Sequence, residues 1–312
     1  MLTVTLLGTA ATFPQPDRAL SSAVFSVAGR NILLDCGEGT QLALHRHHVN
    51  PMRIDVVALT HYHGDHMLGL PGLLQTMDTM NRTQPLYITG PVEGHEPILT
   101  AILTLADELA YPVTFLPIPE DGLHLHDLNP KWPMEATLTA LPTVHRVPSQ
   151  GYRLQLNRMR RLYTDKATAM GIPKALWGRL QSGQSVNVNG REIHPSSVCG
   201  PERPGLSAVF TGDTAPCDDI ITAAKAADLL IMDATYAEDK YADKAALYGH
   251  STFAQAAETA KSAGAKRLWL THFSAMITSP QEHLDIAQDI FPGAICGTDG
   301  QSILLTFREN EM

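Results

Sequence analysis

The chain has 312 residues, of which 44% are hydrophobic and 18% are charged. This length and composition exclude a disordered or fibrous protein and allow one large or two small domains with a substantial core. The formal net charge of −9, taken as an average, argues against a nucleic-acid-binding protein. The four cysteines form no Cys-x-x-Cys pair, no apolar run approaches a membrane span, and no basic leader is present, so we expect a soluble, cytoplasmic protein.

The first half of the chain predicts strands joined by glycine-rich turns, followed by alternating strands and helices. Apolar and β-branched runs predict strands over 2–7, 23–27, 31–35 and 54–59. Helices are expected over 41–48, 68–79 and 96–109, and further strands over 86–89, 113–116 and 135–141.

The second half repeats this style. Strands are expected over 208–211, 229–232, 267–271 and 302–306, and helices over 218–227, 252–263 and 280–289, with Ser251 as the N-cap of the second helix. Mixed strands and helices in two similar halves predict a layered α/β fold.

A short loop after the predicted strand 54–59 carries the strongest chemical signal. It reads Thr60-His61-Tyr62-His63-Gly64-Asp65-His66, which places four potential metal ligands within six residues. His61 and His63 are two residues apart and therefore point the same way from an extended backbone. Imidazole and carboxylate groups suit zinc and its neighbours. The other histidine-rich stretch, His45-Arg46-His47-His48, is predicted to lie on the surface of a helix.

One loop cannot supply the ligands of two metal ions, so other strand ends should contribute. Three residues fit this requirement: His145 follows the stretch 138–144, Asp213 follows the strand at Phe210, and His272 follows the strand at Leu268. The carboxyl ends of such strands can meet at one edge of a layered fold.

These motifs resemble those of the ribonuclease Z family within the metallo-β-lactamase superfamily. The His-x-His-x-Asp-His loop identifies only the superfamily. More specific matches are Leu7-Gly8-Thr9, Asp35-Cys36-Gly37-Glu38-Gly39-Thr40-Gln41, Gly69-Leu70-Pro71-Gly72-Leu73-Leu74, Asp233-Ala234-Thr235 and Gly249-His250-Ser251-Thr252.

The resemblance implies a single αββα sandwich over 1–312 with two Zn²⁺ ions, although manganese or iron would accept the same ligands. One site would use His61, His63 and His145, the other would use Asp65, His66 and His272, and Asp213 would bridge them. His250 would donate a proton to the leaving group and Asp233 would orient it. Asp65 could also accept a proton from the attacking water. The implied reaction is endonucleolytic removal of the 3′ trailer of precursor tRNA, leaving a 3′-hydroxyl, by an enzyme that usually forms a homodimer.

A basic segment separates the two halves. Eight basic residues and one acidic residue lie between Arg146 and Arg179, a local charge of +7 that the chain average conceals. Family members carry an RNA-binding arm at this place, so we expect an inserted arm over 151–191. Its candidate RNA-binding residues are Arg158, Arg160, Arg161, Lys166, Lys174 and Arg179. The frame around Gly171-Ile172-Pro173 lacks the Gly-Pro pair that family arms usually carry.

Other functions remain open at this point. A related dinuclear hydrolase could act on small phosphodiesters or other esters. A processive exoribonuclease would need a large extra domain for which the chain leaves little room. A catalytically inactive RNA-binding module would have lost metal ligands, whereas all seven candidates are present.

Overall fold

The structure is a computed structural model that describes residues 1–307 and contains two seven-stranded sheets. The strands are β1 (Leu2–Gly8), β2 (Ser22–Val27), β3 (Arg30–Leu34), β4 (Ile54–Ala58), β5 (Leu86–Thr89), β6 (Val113–Phe115), β7 (Leu123–His124), β8 (Ala136–Pro142), β9 (Gln150–Arg158), β10 (Val186–Val188), β11 (Arg191–Ile193), β12 (Arg203–Phe210), β13 (Leu229–Asp233), β14 (Leu268–Thr271), β15 (Ala294–Cys296) and β16 (Ser302–Leu305). The helices are α1 (Thr40–Arg46), α2 (Gly64–Met67), α3 (Leu70–Thr79), α4 (His95–Ala106), α5 (Leu125–Leu128), α6 (Thr164–Ala169), α7 (Trp177–Gln181), α8 (Asp218–Ala223), α9 (Ala242–Tyr248), α10 (Phe253–Ala263) and α11 (Leu284–Gln288).

Each large sheet is antiparallel at one side and parallel at the other. The first runs β16-β1-β2-β3-β4-β5-β6, with parallel pairing from β3 onward. The second runs β15-β14-β13-β12-β9-β8-β7, with parallel pairing from β15 to β12. Strands β10 and β11 form a separate two-stranded ribbon.

Three buried layers explain why the sheets stack between helices. Apolar side chains of both sheets, among them Phe25 and Phe210, form a core between them. A second cluster packs α8, α10 and α11 on the second sheet, and a third packs α1, α3 and α4 on the first. The predicted αββα sandwich is therefore confirmed. Within residues 1–307, no helix is long and apolar enough to cross a membrane.

Several local predictions differ from the structure. The expected helix over 68–79 is α3, which begins at Leu70 with Pro71 in its first turn. The short helix α2 before it was not predicted, and Gly69 separates the two helices where a Cβ would meet Gly37 O. Ser251 is not the N-cap of α10. Thr252 caps it instead, accepting from Gln255 N while the Gln255 side chain accepts from Thr252 N. Strand β9 was not predicted, and the expected helix over 280–289 is a 3-10 turn followed by the short α11.

The apolar residues after the metal-binding loop belong to the core. Leu70, Leu73, Leu74 and Met77 are fully buried, whereas Met80 is exposed. His45 and His48 lie on the surface as predicted, although α1 ends before His47.

The basic segment is divided between the sheet and a small separate unit. Residues 151–158 of the predicted arm belong to β9, which pairs with β8 and β12. Arg153 donates to Ala223 O and Ser207 Oγ within the body of the fold. The part outside the large sheets runs from 159 to 202 and holds α6, α7, β10 and β11. It has its own apolar cluster, Ala167, Ile172, Leu180, Val186, Ile193, Val198 and Cys199.

Candidate metal centre

The candidate ligands meet at one edge of the sandwich. The loop after β4 carries the first histidines, and the ends of β8, β12 and β14 carry His145, Asp213 and His272. His61 Nε2 lies 2.9 Å from His63 Nδ1, and His145 Nε2 lies 3.3 Å from the same atom. Three ring nitrogens therefore converge on one point.

A second group forms beside the first. His63 precedes the short helix α2, which brings Asp65 and His66 into the site. His66 Nε2 lies 3.2 Å from His272 Nε2, and Asp65 Oδ2 lies 3.7 and 3.6 Å from these two atoms.

Asp213 lies between the two groups. Its Oδ1 is 3.3 and 3.2 Å from Nε2 of His66 and His272, while its Oδ2 is 3.7 Å from His61 Nε2 and 4.0 Å from His145 Nε2. The position of Asp213 between the two groups depends on the preceding residue, Gly212. Gly212 has φ of +61°, and a Cβ there would lie 2.5 Å from Thr60 Cβ.

The donor set fits a dinuclear metal site. Asp213 Oδ1 is buried and has no hydrogen-bond partner among residues 1–307, a costly arrangement unless a cation satisfies it. Facing ring nitrogens can share only one proton between two neutral imidazoles, whereas one cation satisfies several of them. Three converging nitrogens on one side, with a second His/Asp group on the other, therefore suit two cations that share Asp213.

Outer contacts orient four of the five rings. The Nδ1 atoms of His61 and His66 contact Thr60 Oγ1 (3.0 Å) and Asp35 Oδ2 (2.7 Å). The Nδ1 atoms of His145 and His272 contact Gly249 O (2.9 Å) and Thr235 Oγ1 (2.9 Å). In each ring Nε2 is left facing the cluster, as expected of metal ligands held by a second set of partners.

The electrostatics of the site keep His61 neutral and place negative charge beside His66. Burial and then the charge of His66 lower the pKa of His61 well below its usual range, which keeps the ring neutral. Burial also opposes a charge on His66, but Asp213 and Asp35 outweigh it and raise the pKa of His66 well above its usual value. The carboxylates thus stabilise positive charge between the two groups.

His250 and Asp233 form a pair beside this cluster. His250 Nδ1 lies 2.8 Å from Asp233 Oδ2. Asp233 also accepts from Thr214 N, Thr235 N and Thr235 Oγ1 at 3.1, 2.8 and 2.7 Å, so its oxygens are already used. Burial opposes protonation of His250, yet Asp233 raises the pKa of His250 to about 9.

Known proteins are similar to this chain over its full length. The chain is 39% identical to the ribonuclease Z of Agathobacter rectalis, covering 99% of this chain and 100% of that one. It is 37% identical to the ribonuclease Z of Lachnoclostridium phytofermentans, covering 100% of both. The chain belongs to the ribonuclease Z family.

Two family models and several solved structures are also similar to this chain. Residues 2–103 match the model described as anti-Pycsar protein Apyc1, and residues 179–273 match a beta-lactamase superfamily domain. The crystal structure of human tRNase Z, short form, is 27% identical with a TM-score of 0.67 and covers 97% of this chain and 99% of that one. The metallo-beta-lactamase fold protein YhfI of Bacillus subtilis has the same TM-score at 22% identity and shows the likeness of fold alone.

The candidate RNA-binding residues of this ribonuclease Z family member lie away from the metal centre. Gln150 N donates to Thr60 O, so β9 begins beside the metal-binding loop. β9 then runs nine residues, about 26 Å at roughly 3.3 Å per residue. Arg158 lies at its far end, with its guanidinium over Phe307. The other candidates, Arg160, Arg161, Lys166, Lys174 and Arg179, follow beyond it.

The sequence did not assign roles to the residues that hold the ligands. Asp35 accepts from Thr60 N and contacts His66, and Thr235 contacts both His272 and Asp233. Tyr62 Oη donates to Pro91 O (2.6 Å) and ties the metal-binding loop to the next strand end. The signal for Asp35 and Thr235 was their presence in the family motifs. A tyrosine between two ligands carries no such signal.

Proposed function

We propose that this protein is a zinc-dependent endoribonuclease that removes the 3′ trailer of precursor tRNA and leaves a 3′-hydroxyl. One observation carries the proposal: the full chain matches proteins named ribonuclease Z. The His/Asp cluster next to a His–Asp pair suited to proton donation supports it.

The distances between the side chains support one assignment of the ligands. His61, His63 and His145 form one set, Asp65, His66 and His272 form the other, and Asp213 has one oxygen near each. Zinc suits these imidazole and carboxylate ligands, and Mn²⁺ or Fe²⁺ would also be accepted. Two such ions would supply hydroxide near neutral pH and offset the charge that builds up on a phosphodiester.

The protein's own residues manage the protons. Asp65 Oδ2 accepts a hydrogen bond from Thr12 N at 2.7 Å, which fixes the carboxylate at the edge of the cluster. We assign this carboxylate as the acceptor of the proton from the attacking water.

His250 is the proton donor to the 3′-oxygen that leaves. Its Nδ1 is engaged by Asp233, so Nε2 is left for the leaving oxygen. The side chain remains partly accessible, and the carboxylate keeps the ring protonated near neutral pH.

The basic unit over 159–202 serves as the arm that binds RNA away from the cut. Arg161, Lys166, Lys174 and Arg179 are exposed, and the aromatic rings of Tyr163 and Trp177 are interleaved among them. Basic side chains with interleaved rings suit phosphate contact and stacking.

We further propose that the enzyme is a homodimer. A groove of about 640 Å³ lies between α1 and α3, lined by Leu42, Leu44, Val49, Leu73 and Met80 among others. Leu42 and Met80 are 51% and 45% exposed, which is unusual for large apolar residues on facing helices. A second copy would bury them, and sedimentation of wild type against Leu42→Asp would test this.

The decisive experiment is cleavage of a 3′-extended precursor tRNA by the metal-loaded protein, with bis(p-nitrophenyl) phosphate as a small control substrate. We expect a single cut near the base of the acceptor stem that needs zinc or manganese and weakens steeply with salt. Hydrolysis of the small diester without the cut would favour the alternative, a dinuclear hydrolase of small phosphodiesters.

A further inference from the structure

The inference concerns the rim of the metal centre, where two chain segments touch. Gly249 ends α9 in a left-handed conformation with φ of +69°. A Cβ there would lie 2.7 Å from His145 Cα and 2.9 Å from His145 Nδ1. Only glycine therefore allows α9 to come this close to the strand end that carries His145.

This close approach brings Arg146 onto Tyr248. The Arg146 guanidinium carbon lies 4.7 Å from the centre of the Tyr248 ring. Arg146 is exposed, and no carboxylate among residues 1–307 forms an ion pair with it. A guanidinium offers five donors, and stacking on a ring fixes its plane while leaving those donors free.

Further cations and rings continue the same surface. Lys244 Nζ lies 5.3 Å from the centre of the Tyr236 ring, and Tyr236 meets His250 edge to face at 6.4 Å. We call the four residues Arg146, Tyr236, Lys244 and Tyr248 the aromatic rim. It adjoins the proposed proton donor and a proposed metal ligand.

The base of the arm in the same chain lies at the far end of β9, whose first residue, Gln150, contacts Thr60. Arg146, by contrast, directly follows His145. Adjacent Cα atoms are about 3.8 Å apart. A phosphate next to the one at the metal centre is therefore within reach of the Arg146 side chain, which packs on Tyr248 and not on the imidazole cluster.

We propose that Arg146 binds the backbone phosphate that flanks the scissile bond of the RNA, with Tyr248 holding the guanidinium in position. This rests on the proposed function and adds a substrate-binding residue that lies outside the metal site and the arm. Planar guanidinium groups suit bidentate binding of phosphate.

The test compares Arg146→Ala with Lys240→Ala on precursor tRNA and on bis(p-nitrophenyl) phosphate. Lys240 is a matched control, because it lies on the neighbouring segment over Tyr241 but is paired with Glu238 at 2.7 Å. Loss of Arg146 should lower kcat/KM for precursor tRNA about tenfold or more, as for a charged hydrogen bond. The small diester has no flanking phosphate, so its hydrolysis should change less than about twofold.

A precursor tRNA with one neutral methylphosphonate beside the scissile bond distinguishes phosphate binding by Arg146 from a purely structural role of this residue. For wild type, kcat/KM should be about tenfold lower on the methylphosphonate substrate than on unmodified precursor tRNA. For Arg146→Ala, kcat/KM should be nearly the same on the two substrates. If wild type cuts precursor tRNA and Arg146→Ala has the same kcat/KM as Lys240→Ala, the inference is wrong. It is also wrong if the loss caused by Arg146→Ala and the loss caused by the methylphosphonate add. If wild type does not cut precursor tRNA at all, the proposed function fails and the inference falls with it.

Discussion

His250 Nδ1 lies 2.8 Å from Asp233 Oδ2, and this carboxylate also receives three hydrogen bonds from Thr214 and Thr235. The Asp233 carboxylate is therefore fixed in place before substrate binds. Its negative charge acts mainly on the pKa and the orientation of the His250 ring. This arrangement gives the proposed proton donor both its orientation and its charge.

The first prediction is a pH dependence set by this pair. Asp233 raises the pKa of His250 to about 9, so the ring is protonated below that pH and the donor is lost as pH rises through it. Asp233→Asn removes the negative charge, which lowers the pKa of His250. The descending limb of kcat/KM for RNA cleavage should then move to lower pH by about one pH unit or more.

Two variants complete this measurement. Asp243→Asn changes an exposed acid on the neighbouring helix α9 and should leave the profile in place. His250→Ala should lower kcat about 100-fold or more and abolish the descending limb. An unshifted limb in Asp233→Asn would show that another group donates the proton. Bound cations lower the pKa in both proteins and do not change the sign of the difference.

The second prediction concerns the contact between Asp35 and His66. Asp35 is fully buried and contacts His66 Nδ1 at 2.7 Å, so it orients that ring and increases its basicity. Asp35→Asn should weaken zinc binding about 10-fold to 100-fold, measured by competition with a chromogenic chelator. Asp121→Asn, the same change at an exposed turn, is a control that should leave zinc affinity unchanged. Equal affinities in Asp35→Asn and wild type would exclude this role.

The third prediction separates metal binding from folding. A metal ion that binds only the folded state stabilises it, by about 2.7 kcal/mol at a hundredfold excess over its Kd. Adding zinc should therefore raise the Tm of the metal-free wild type. Asp213→Asn removes the carboxylate shared by both groups, so its Tm should respond much less to zinc. A full response in this variant would mean that Asp213 is not a ligand.

The fourth prediction concerns the arm. The triple variant Arg161→Ala, Lys166→Ala, Lys174→Ala removes exposed cations from the unit over 159–202. The rate of precursor tRNA cleavage should fall. The slope of the logarithm of the RNA-binding constant against the logarithm of salt concentration should become shallower by about 0.7–0.9 for each lost phosphate contact. Hydrolysis of bis(p-nitrophenyl) phosphate should not change. Equal losses on both substrates would contradict the proposed role, and Lys261→Ala on α10 is the matched surface control.

Sequence reasoning grouped the candidate ligands that the structure brings together, but it placed the start of the arm inside what the structure shows to be β9, and both outcomes have a physical reason. All seven candidate ligands follow strands, and parallel strands of a layered fold end at a common edge. The sequence alone therefore predicts that His61, Asp213 and His272 lie close together. The boundary of the arm was different. Residues 151–158 include Arg153 and Arg158, but Arg153 donates to Ala223 O at the C-terminal end of α8, so its charge is used inside the fold. Charge alone does not distinguish such a strand from an exposed arm.

Long-range contacts account for the other omissions. The role of Arg146 depends on Gly249, which lies about a hundred residues further along the chain and touches His145. Asp55 of β4 likewise accepts hydrogen bonds from Asn129 and Trp132, which lie in a loop 74 and 77 residues further along the chain. Neither pairing has a local sequence signature, because the partners are set by how the two sheets stack.

The last prediction tests that buried network. Asp55 accepts from Arg30 Nε and Trp132 Nε1 at 2.7 Å and from Asn129 Nδ2 at 3.2 Å, and both charged residues are nearly inaccessible. Asp55→Ala would leave the Arg30 guanidinium buried without its partner, which typically costs about 3–5 kcal/mol. Urea unfolding should report a loss of that size, against almost none for Asp121→Ala at an exposed turn. Because the network lies away from the metal centre, the folded fraction of Asp55→Ala should keep its zinc affinity, and a parallel loss of zinc binding would show that the stability of this network and the metal site are coupled.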